Sequence, residues 1–526
     1  MIAPPAIQSR SRHISDRLRR IRGRAAILAV IAFIVLSGLF SMDAGDWMIT
    51  LLRGLAVGAI TFLVASGLSL IFGLMDVLNL AHGELFMLGA YVGWTIYVRP
   101  DTFVDVLLPL LLIAAVFAAG PAFAQLADRV GPGGAWGRFL PWLLAAFGTG
   151  ATVWVLPRFP LSIWDLEAFA DTPVASSLAF DVGTQSVPVP DSFDGSALVA
   201  VVVLIVSVSL VAFAIALARK TDVTPLPMDI RRLVPSFATF GIAFASLMFN
   251  DQITEWMFGL GTTYRFFLAL ALAAIGGFGL GALIETVLIR PLYDRLLYQL
   301  MITLGLGFII IEAVRSVWGR PEFTMPKPAL FSGTGPGCPG EGLSELFSGC
   351  STVKILDTRI RLYNEVFIVL VGVAVLVVVT LLIKRTRMGM IIRAGVQDRE
   401  MVEALGVNVR LVFTIVFGLG VGLAAFGGVI AAPAIGLSTE MGSRVLLLAL
   451  IAISVGGLTS FPGAAAGAVL VGLLQQFVIK AGSTGIPLPW LDEPFKPSPS
   501  LVPVSVIVLM IVVLLVAPQG IFGREE

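Results

Sequence analysis

Long apolar runs, separated by short polar or charged segments, organise the chain from end to end. A helix crosses a bilayer core of about 30 Å with about 20 apolar residues. On that measure spans are expected near 25–41, 49–72, 79–98, 106–124, 138–156, 196–218, 234–258, 264–288, 299–318, 364–383, 411–433, 445–459, 464–480 and 500–517. The runs 445–459 and 464–480 are joined by Thr459-Ser460-Phe461-Pro462-Gly463 and read either as two half-helices or as one broken helix. The expected class is all-α, a polytopic membrane helical bundle of about 12–14 transmembrane segments.

Basic residues orient this pattern, because cytoplasmic loops of membrane proteins carry the excess of Lys and Arg. Seven Arg fall within the first 24 residues, which places the N-terminus inside. Alternating from there puts Arg219, Lys220, Arg231, Arg232 and the six basic residues of Lys384–Arg410 inside as well. The loop 157–195, with Asp165, Glu167, Asp171, Asp181, Asp191 and Asp194, falls outside. One parity satisfies every loop and gives N-in, C-in. The run 25–41 behind its Arg-rich start also resembles a signal sequence. It is long for one and lacks a clear small-x-small cleavage site, so a retained anchor is expected.

Composition narrows the class further. Of 526 residues, 57% are hydrophobic and 13% are Asp, Glu, Lys or Arg, about half the charged share of soluble domains. The mean hydropathy is +0.95. So few charges cannot cover a soluble surface, which excludes a soluble enzyme or nucleic-acid binder. The net charge of +1 gives no overall electrostatic address. Two Cys and two His, with no CxxC and no HExxH, leave no zinc-type ligand set, so neither a metal site nor a catalytic residue is expected. No GxxxxGK[ST] occurs, so nucleotide would have to power the chain through another subunit.

A few polar segments carry the remaining information. Within the inner loop Arg387–Asn408, residues Val396–Leu405 place apolar side chains at 396, 401, 402, 404 and 405 among charged and amide groups. Gly406 follows as a helix stop. Such a helix suits a groove on a soluble partner. The other reading is a helix lying on lipid, which Asp398, Glu400 and Glu403 oppose. Asn79, His82 and Glu84, near the inner start of the third span, are costly at depth. They either satisfy backbone groups at a helix start or line a pathway, with a relay through His82 and Glu84 the extreme case. Glu285 lies in or near a span, and Glu312 pairs naturally with Arg315 at i,i+3. Cys338 and Cys350, in the outer loop 319–363, either form a disulfide closing a 13-residue ring or stay as two free thiols. Gly277/Gly281, Gly418/Gly422 and Gly463/Gly467 are small-xxx-small spacings for close helix packing.

Taken together, these segments resemble the permease subunits of branched-chain amino-acid ABC importers, in particular the LivH-like type. The resemblance rests on Gly54-Leu-Ala-Val-Gly-Ala59, Asn79-Leu-Ala-His-Gly-Glu84 with Leu88-Gly-Ala-Tyr-Val92, and Arg290-Pro291. It continues through Arg387-Met-Gly389, Arg393-Ala394, Ala404-Leu-Gly406, Gly456-Gly-Leu-Thr-Ser-Phe-Pro-Gly463 and Pro518-Gln-Gly-Ile-Phe-Gly523. It covers 47–98 and 264–526 as a permease core in two parts. Residues 1–46 are then a basic segment with an extra anchor helix, and 99–263 an insertion of about four spans. That even number leaves the orientation of the core intact on both sides.

The resemblance implies a multi-pass permease subunit in a bacterial inner membrane, without nucleic acid or a bound cofactor. ATP and Mg would sit on two partner P-loop ATPases. A second, M-type permease and a periplasmic solute-binding protein would complete the importer. The ATPases would dock on 387–408, with Arg393, Asp398, Glu400, Glu403, Ala404, Leu405 and Gly406 as coupling residues. Asn79, His82, Glu84, Gly456, Gly457 and Pro462 are the candidates for the translocation pathway. Members of the family also handle urea, amides and other small acids, and the substrate stays open among these. A stand-alone secondary transporter is the alternative, with Glu84, Glu285 and Glu312 as candidate coupling acids. An intramembrane enzyme would lack any nucleophile or metal constellation.

Overall fold

A computed structural model describes residues 42–130, 136–156, 195–218, 230–293, 295–320, 324–334, 338–342, 349–387, 408–458, 460–485 and 493–522, together with 322, 389–391, 394, 401 and 406. The expected anchor at 25–41 lies outside the described residues. Among those described, eight helices are long and apolar enough to cross a membrane, and four shorter apolar helices accompany them. The chain is an all-α polytopic helical bundle that divides into two compact units, one of residues 1–94 with 262–526 and one of 95–261.

In the larger unit, α1 (Ala44–Met75) is the first described helix, and within α2 (His82–Val98) the division falls after Trp94. After the smaller unit come α9 (Thr262–Ile284), a π-helical turn Glu285–Ile289, and α10 (Leu296–Trp318). A second π-helical turn (Leu362–Phe367) leads into α11 (Ile368–Arg385). The unit ends with α12 (Val409–Ile435), α13 (Met441–Gly456), α14 (Phe461–Thr484) and α15 (Leu501–Val516). α1 and α12 are the interior helices, whereas α11 keeps most of its surface outward. Lipid is as apolar as a leucine side chain, so helices gain little by burying Leu and associate through close packing of small residues. Three antiparallel crossings follow that rule. Gly54 and Gly58 of α1 meet Gly472 and Ala468 of α14, Gly67 meets Gly420 of α12, and Gly277 and Gly281 of α9 meet Ala425 and Val421 of α12.

Ion pairs mark the two ends of this unit. Asp46 holds Lys480 at 2.6 Å, and the buried Glu365 holds Arg53 at 2.9 Å. At the opposite end, which carries the 387–408 loop, Glu285 pairs with Arg290 at 2.9 Å. Between α10 and α11 a small three-stranded sheet was not anticipated. β1 (Gly340–Glu341) runs parallel to β2 (Thr352–Ile355), and β2 antiparallel to β3 (Thr358–Arg361). Leu356 and Asp357, both at positive φ (49° and 59°), turn the hairpin tightly. Cys338 and Cys350 are joined as a disulfide with 5.6 Å between their Cα atoms.

The smaller unit contains α3 (Pro100–Ala118), α4 (Gly120–Val130), α5 (Trp136–Val155), α6 (Gly195–Ala218), α7 (Val234–Met248) and α8 (Asn250–Gly259). Leu108, Leu112, Val116, Val155, Leu204, Val208 and Ala243 form its core. The apolar stretch 106–124 is not one helix: α3 begins at Pro100, a favoured first-turn residue, and ends at Ala118. The stretch 234–258 likewise breaks at Phe249. The polar run Asn250-Asp251-Gln252 interrupts it, and the Asn250 amide donates to Asp105 at 2.9 Å.

Candidate functional site

Three places in the larger unit gather the residues singled out from the sequence. The first is the break between α1 and α2. α1 ends at Asp76 in the left-handed conformation (φ 53°), and the next residues turn back into the bundle. His82 starts α2 with its ring against Gly67, where a Cβ would stand 2.9 Å from Nε2. Gly67 lies eight residues from the end of α1, or about 12 Å at 1.5 Å per residue. The chain therefore re-enters the bundle as non-helical backbone, which membrane proteins tolerate only where protein or a cavity surrounds it.

Local hydrogen bonds hold this re-entry. The Asn79 side-chain oxygen accepts from Ala81 N at 3.1 Å, its carbonyl accepts from His82 N at 3.2 Å, and Leu80 N donates to Thr303 of α10 at 3.3 Å. Asn79 thus does much of the backbone work that one sequence reading assigned to all three residues. Glu84 shares it in part, since its carboxylate accepts from its own backbone N–H. Its carboxylate is buried over Gly307 of α10, and Oε2 makes no hydrogen bond among the described residues. Gly83 and Gly442 touch backbone to backbone, so the start of α13 meets the start of α2 beside these polar groups. Thr303 and Gly307 of α10 belong to the same neighbourhood. Only tertiary structure brings them there.

The second place is the hairpin of α13 and α14. The region 445–480 is two helices, joined by a turn in which Gly457 takes φ 111°. Gly456 faces Gly463, and Ala452 faces Gly467, at backbone contact. Ser460 caps α14 by accepting from Gly463 N at 3.2 Å. The C-terminal segment straps the turn: Ile521 N and Phe522 N each donate at 2.9 Å to the carbonyls of Val455 and Gly456. Those carbonyls would otherwise be orphaned at the end of α13. Ser69 of α1 donates to the Leu458 carbonyl at 3.4 Å. One stretch of α1, Gly67–Ser69, therefore touches both His82 and the hairpin tip. Pro462 is exposed, at a helix start where its missing N–H costs nothing.

The third place surrounds the loop 387–408. Arg393, Asp398, Glu400, Glu403, Ala404 and Leu405 lie outside the described residues. Gly406 has φ 80° with open space around it, the left-handed conformation of a residue just past a helix end. Asn408 caps α12 by accepting from Leu411 N at 3.2 Å. Ile391 packs with Tyr293 and Met75 against Val409 and Phe413. Beside this cluster Glu285 is fully buried and accepts from Arg290 Nη2 at 2.9 Å, Arg290 Nε at 3.2 Å, Thr414 Oγ1 at 2.7 Å and the Tyr293 hydroxyl. The sequence pointed to Glu285 but not to these partners, one of which is 129 residues away. Glu312 pairs with Arg315 at 2.7 Å on an exposed face. Among the described residues no cluster of three or more His, Cys, Asp or Glu could hold a metal ion.

Comparison with known proteins adds to this geometry. The model of a family described as the permease component of branched-chain amino acid transport systems matches residues 50–223 and 234–517. The high-affinity branched-chain amino acid transport system permease protein LivH of Salmonella typhimurium is 27% identical over 296 residues, which covers 56% of this chain and 83% of that protein. LivH of Escherichia coli K12 gives the same figures. The corresponding permease protein BraD of Pseudomonas aeruginosa is 28% identical over 262 residues, 49% of this chain and 75% of its own length. No solved structure matches.

Proposed function

Because the chain belongs to the family of branched-chain amino acid transport system permease components, we propose that it is the inner-membrane permease subunit of an ABC importer for branched-chain or related small amino acids. A second, M-type permease would complete the pathway, two P-loop ATPases would bind ATP and Mg, and a periplasmic binding protein would deliver substrate. Substrate selection would rest mainly with that binding protein. The smaller unit, 95–261, would be an added helical bundle.

The observation that carries this reading is the way the 387–408 loop is mounted. It leaves α11, packs Ile391 against Val409 and Phe413, passes through Gly406 in the left-handed conformation and enters α12 through the Asn408 cap. A partner pressing on such a loop moves α12, which lies in the interior of the bundle. Alternating access then needs only that the two ATPase states contact the loop differently, since a ligand shifts an equilibrium by its differential affinity. Asn79, His82 and Glu84, with Gly456 and Gly457 at the far end of α13, are the groups we assign to the pathway.

The alternative, a carrier driven by ions, needs an acid free to exchange a proton or cation. Glu285 already accepts from three side chains and Glu312 lies in a surface pair, which leaves Glu84 alone for that task. Gentle purification of the chain from its host, with identification of what accompanies it, tests the importer reading. A P-loop ATPase is expected in the complex. Its absence, together with ion-gradient-driven uptake by this chain alone, would overturn the proposal. Replacing Glu403 or Gly406 should uncouple ATP hydrolysis from uptake while the chain stays in the membrane. Normal transport in both variants would mean that the loop only rests on lipid.

A further inference from the structure

The cluster around Glu285 has no part in the pathway, yet it is a densely bonded polar group at a helix end. Its geometry explains why it is there. The π-helical turn Glu285–Ile289 ends at Arg290-Pro291, where proline cannot continue the helix hydrogen bonds. The wide turn places Arg290 to bond Glu285 through both Nε and Nη2. Arg290 Nη2 also donates to Thr414 Oγ1 at 2.7 Å, and Thr414 donates in turn to Glu285. A closed ring of charge-assisted bonds therefore joins the end of α9 to the second turn of α12. Tyr293 adds a fourth donor, and its ring stands edge-on to Phe413 with centroids 5.6 Å apart.

Two more features make this ring a mechanical link. Ile391, within the loop, packs against the Val409 and Phe413 cluster, as Tyr293 does, so the loop and the ring rest on the same start of α12. Farther along, α9 and α12 touch at Gly277/Ala425 and Gly281/Val421 with no room for a side chain. The pair is thus fixed at its loop end by polar bonds and along its length by backbone contact. A buried carboxylate in an all-apolar environment is expensive unless every lone pair is used. Here the charge is fully satisfied, and its bonds fall off steeply with distance and angle, which makes the joint stiff.

We propose that Glu285 is a positioning residue for energy coupling, which locks α9 to α12 so that a displacement of the 387–408 loop moves both helices as one lever. The proposal rests on the importer reading, and its test separates the two. The complete transporter, with its partner subunits, is reconstituted in proteoliposomes carrying E285Q, Y293F or T414V, and substrate uptake and ATP hydrolysis are measured together. Coupling between distant sites spans about 5- to 150-fold. E285Q is expected to lower uptake per ATP by about tenfold, and T414V and Y293F by less. In the same variants, hydrogen exchange should accelerate at 285–293 and 409–416 but not within 461–480.

An unchanged uptake-to-ATP ratio in E285Q would overturn the proposal. So would a loss of uptake and hydrolysis in equal proportion, the mark of a purely structural defect. If E285Q fails to assemble, the ratio in Y293F and T414V decides by the same criterion. If the wild-type chain transports without any ATPase, the importer reading fails. The exchange experiment on the chain alone then still decides whether Glu285 joins α9 to α12, and unchanged exchange at 409–416 refutes the link.

Discussion

Gly456 offers the sharpest test of how this bundle is held together. A Cβ placed there would stand 1.9 Å from the Gly463 carbonyl oxygen and 2.3 Å from its carbon. Both are backbone atoms and cannot rotate aside. An ordinary carbon–oxygen contact is about 3.3 Å, so Gly456→Ala must spread α13 from α14 by about 1.4 Å. Overpacking of this kind costs typically 1–3 kcal/mol, and a backbone clash belongs near the top of that range. Alanine returns about 1 kcal/mol of helix propensity over glycine, which leaves a net loss of about 2 kcal/mol. Gly279 on α9 is the control, because a Cβ there meets nothing within 4 Å. Gly279→Ala should gain up to about 1 kcal/mol from the same propensity term. The two alanines therefore differ by about 3 kcal/mol, or about 100-fold in the folded-to-unfolded ratio. The assay is heat challenge of the purified chain in detergent, read as the fraction that remains monodisperse. The spread should also weaken the strap, so Ile521 and Phe522 amides should exchange faster in Gly456→Ala. Equal survival of the two variants would refute the idea that backbone contact at this hairpin determines stability.

Other expectations follow from single features. Reducing the Cys338–Cys350 disulfide frees a short loop, worth about 3 kcal/mol in the loop-entropy model; a melting midpoint insensitive to reductant would contradict this. Burial, and then the hydrogen bond to Glu285, push the Tyr293 phenol above its ordinary value of 10.0. Its folded pKa exceeds the unfolded one, so its contribution is complete below about pH 10 and is lost as pH rises further. Y293F should flatten that alkaline loss in a stability-versus-pH series, and an identical slope would exclude the assignment. Gly67→Ala would place a Cβ 2.4 Å from the Gly420 carbonyl and 2.9 Å from His82 Nε2, so it should impair both folding yield and uptake; wild-type behaviour in both would count against the re-entrant packing.

Much of the fold was legible because the bilayer demands a simple signal. The expected spans among the described residues fall mostly on helix, since an apolar run of that length has few other uses. The runs 106–124 and 234–258 each divide between two helices, and 79–81 is non-helical. The breaks were less legible. The interruption at Phe249 depends on partners such as Asp105, 145 residues from Asn250. The π-helical turn at Glu285 leaves no periodic trace, because its cause is the ring of bonds to Arg290 and Thr414. The sheet at 340–361 was hidden in a loop whose strands are only two to four residues long. In the candidate site, Asn79, His82 and Glu84 stood out as polar groups in an apolar setting. Nothing local distinguished Asn79, which accepts from Ala81 N and His82 N, from Glu84, whose Oε2 has no hydrogen bond among the described residues.

That division between Asn79 and Glu84 bears on how the bundle can move. Where polar groups are densely bonded, as in the Glu285 ring, separating the elements leaves several buried donors unpaired, at about 1–3 kcal/mol each. Where glycines meet backbone to backbone, as at Gly456/Gly463, sliding is blocked by contact on both sides. Both devices make rigid joints, and they tie α1 to α12 and α14, α9 to α12, and α13 to α14. α10 is held differently. It touches the re-entrant segment through Thr303 and Glu84, and it places Gly307, not a larger side chain, under the Glu84 carboxylate. Among the described residues, the joint between α10 and the start of α2 thus has one hydrogen bond, from Leu80 N to Thr303, and one carboxylate oxygen without a donor. The least resistance to opening therefore lies there, beside the polar groups assigned to the pathway. A Gly307→Leu substitution, which fills that joint, should stall uptake more than it harms assembly, as measured by uptake per reconstituted complex. Uptake that falls only in step with the amount of complex would show that α10 does not move relative to α2.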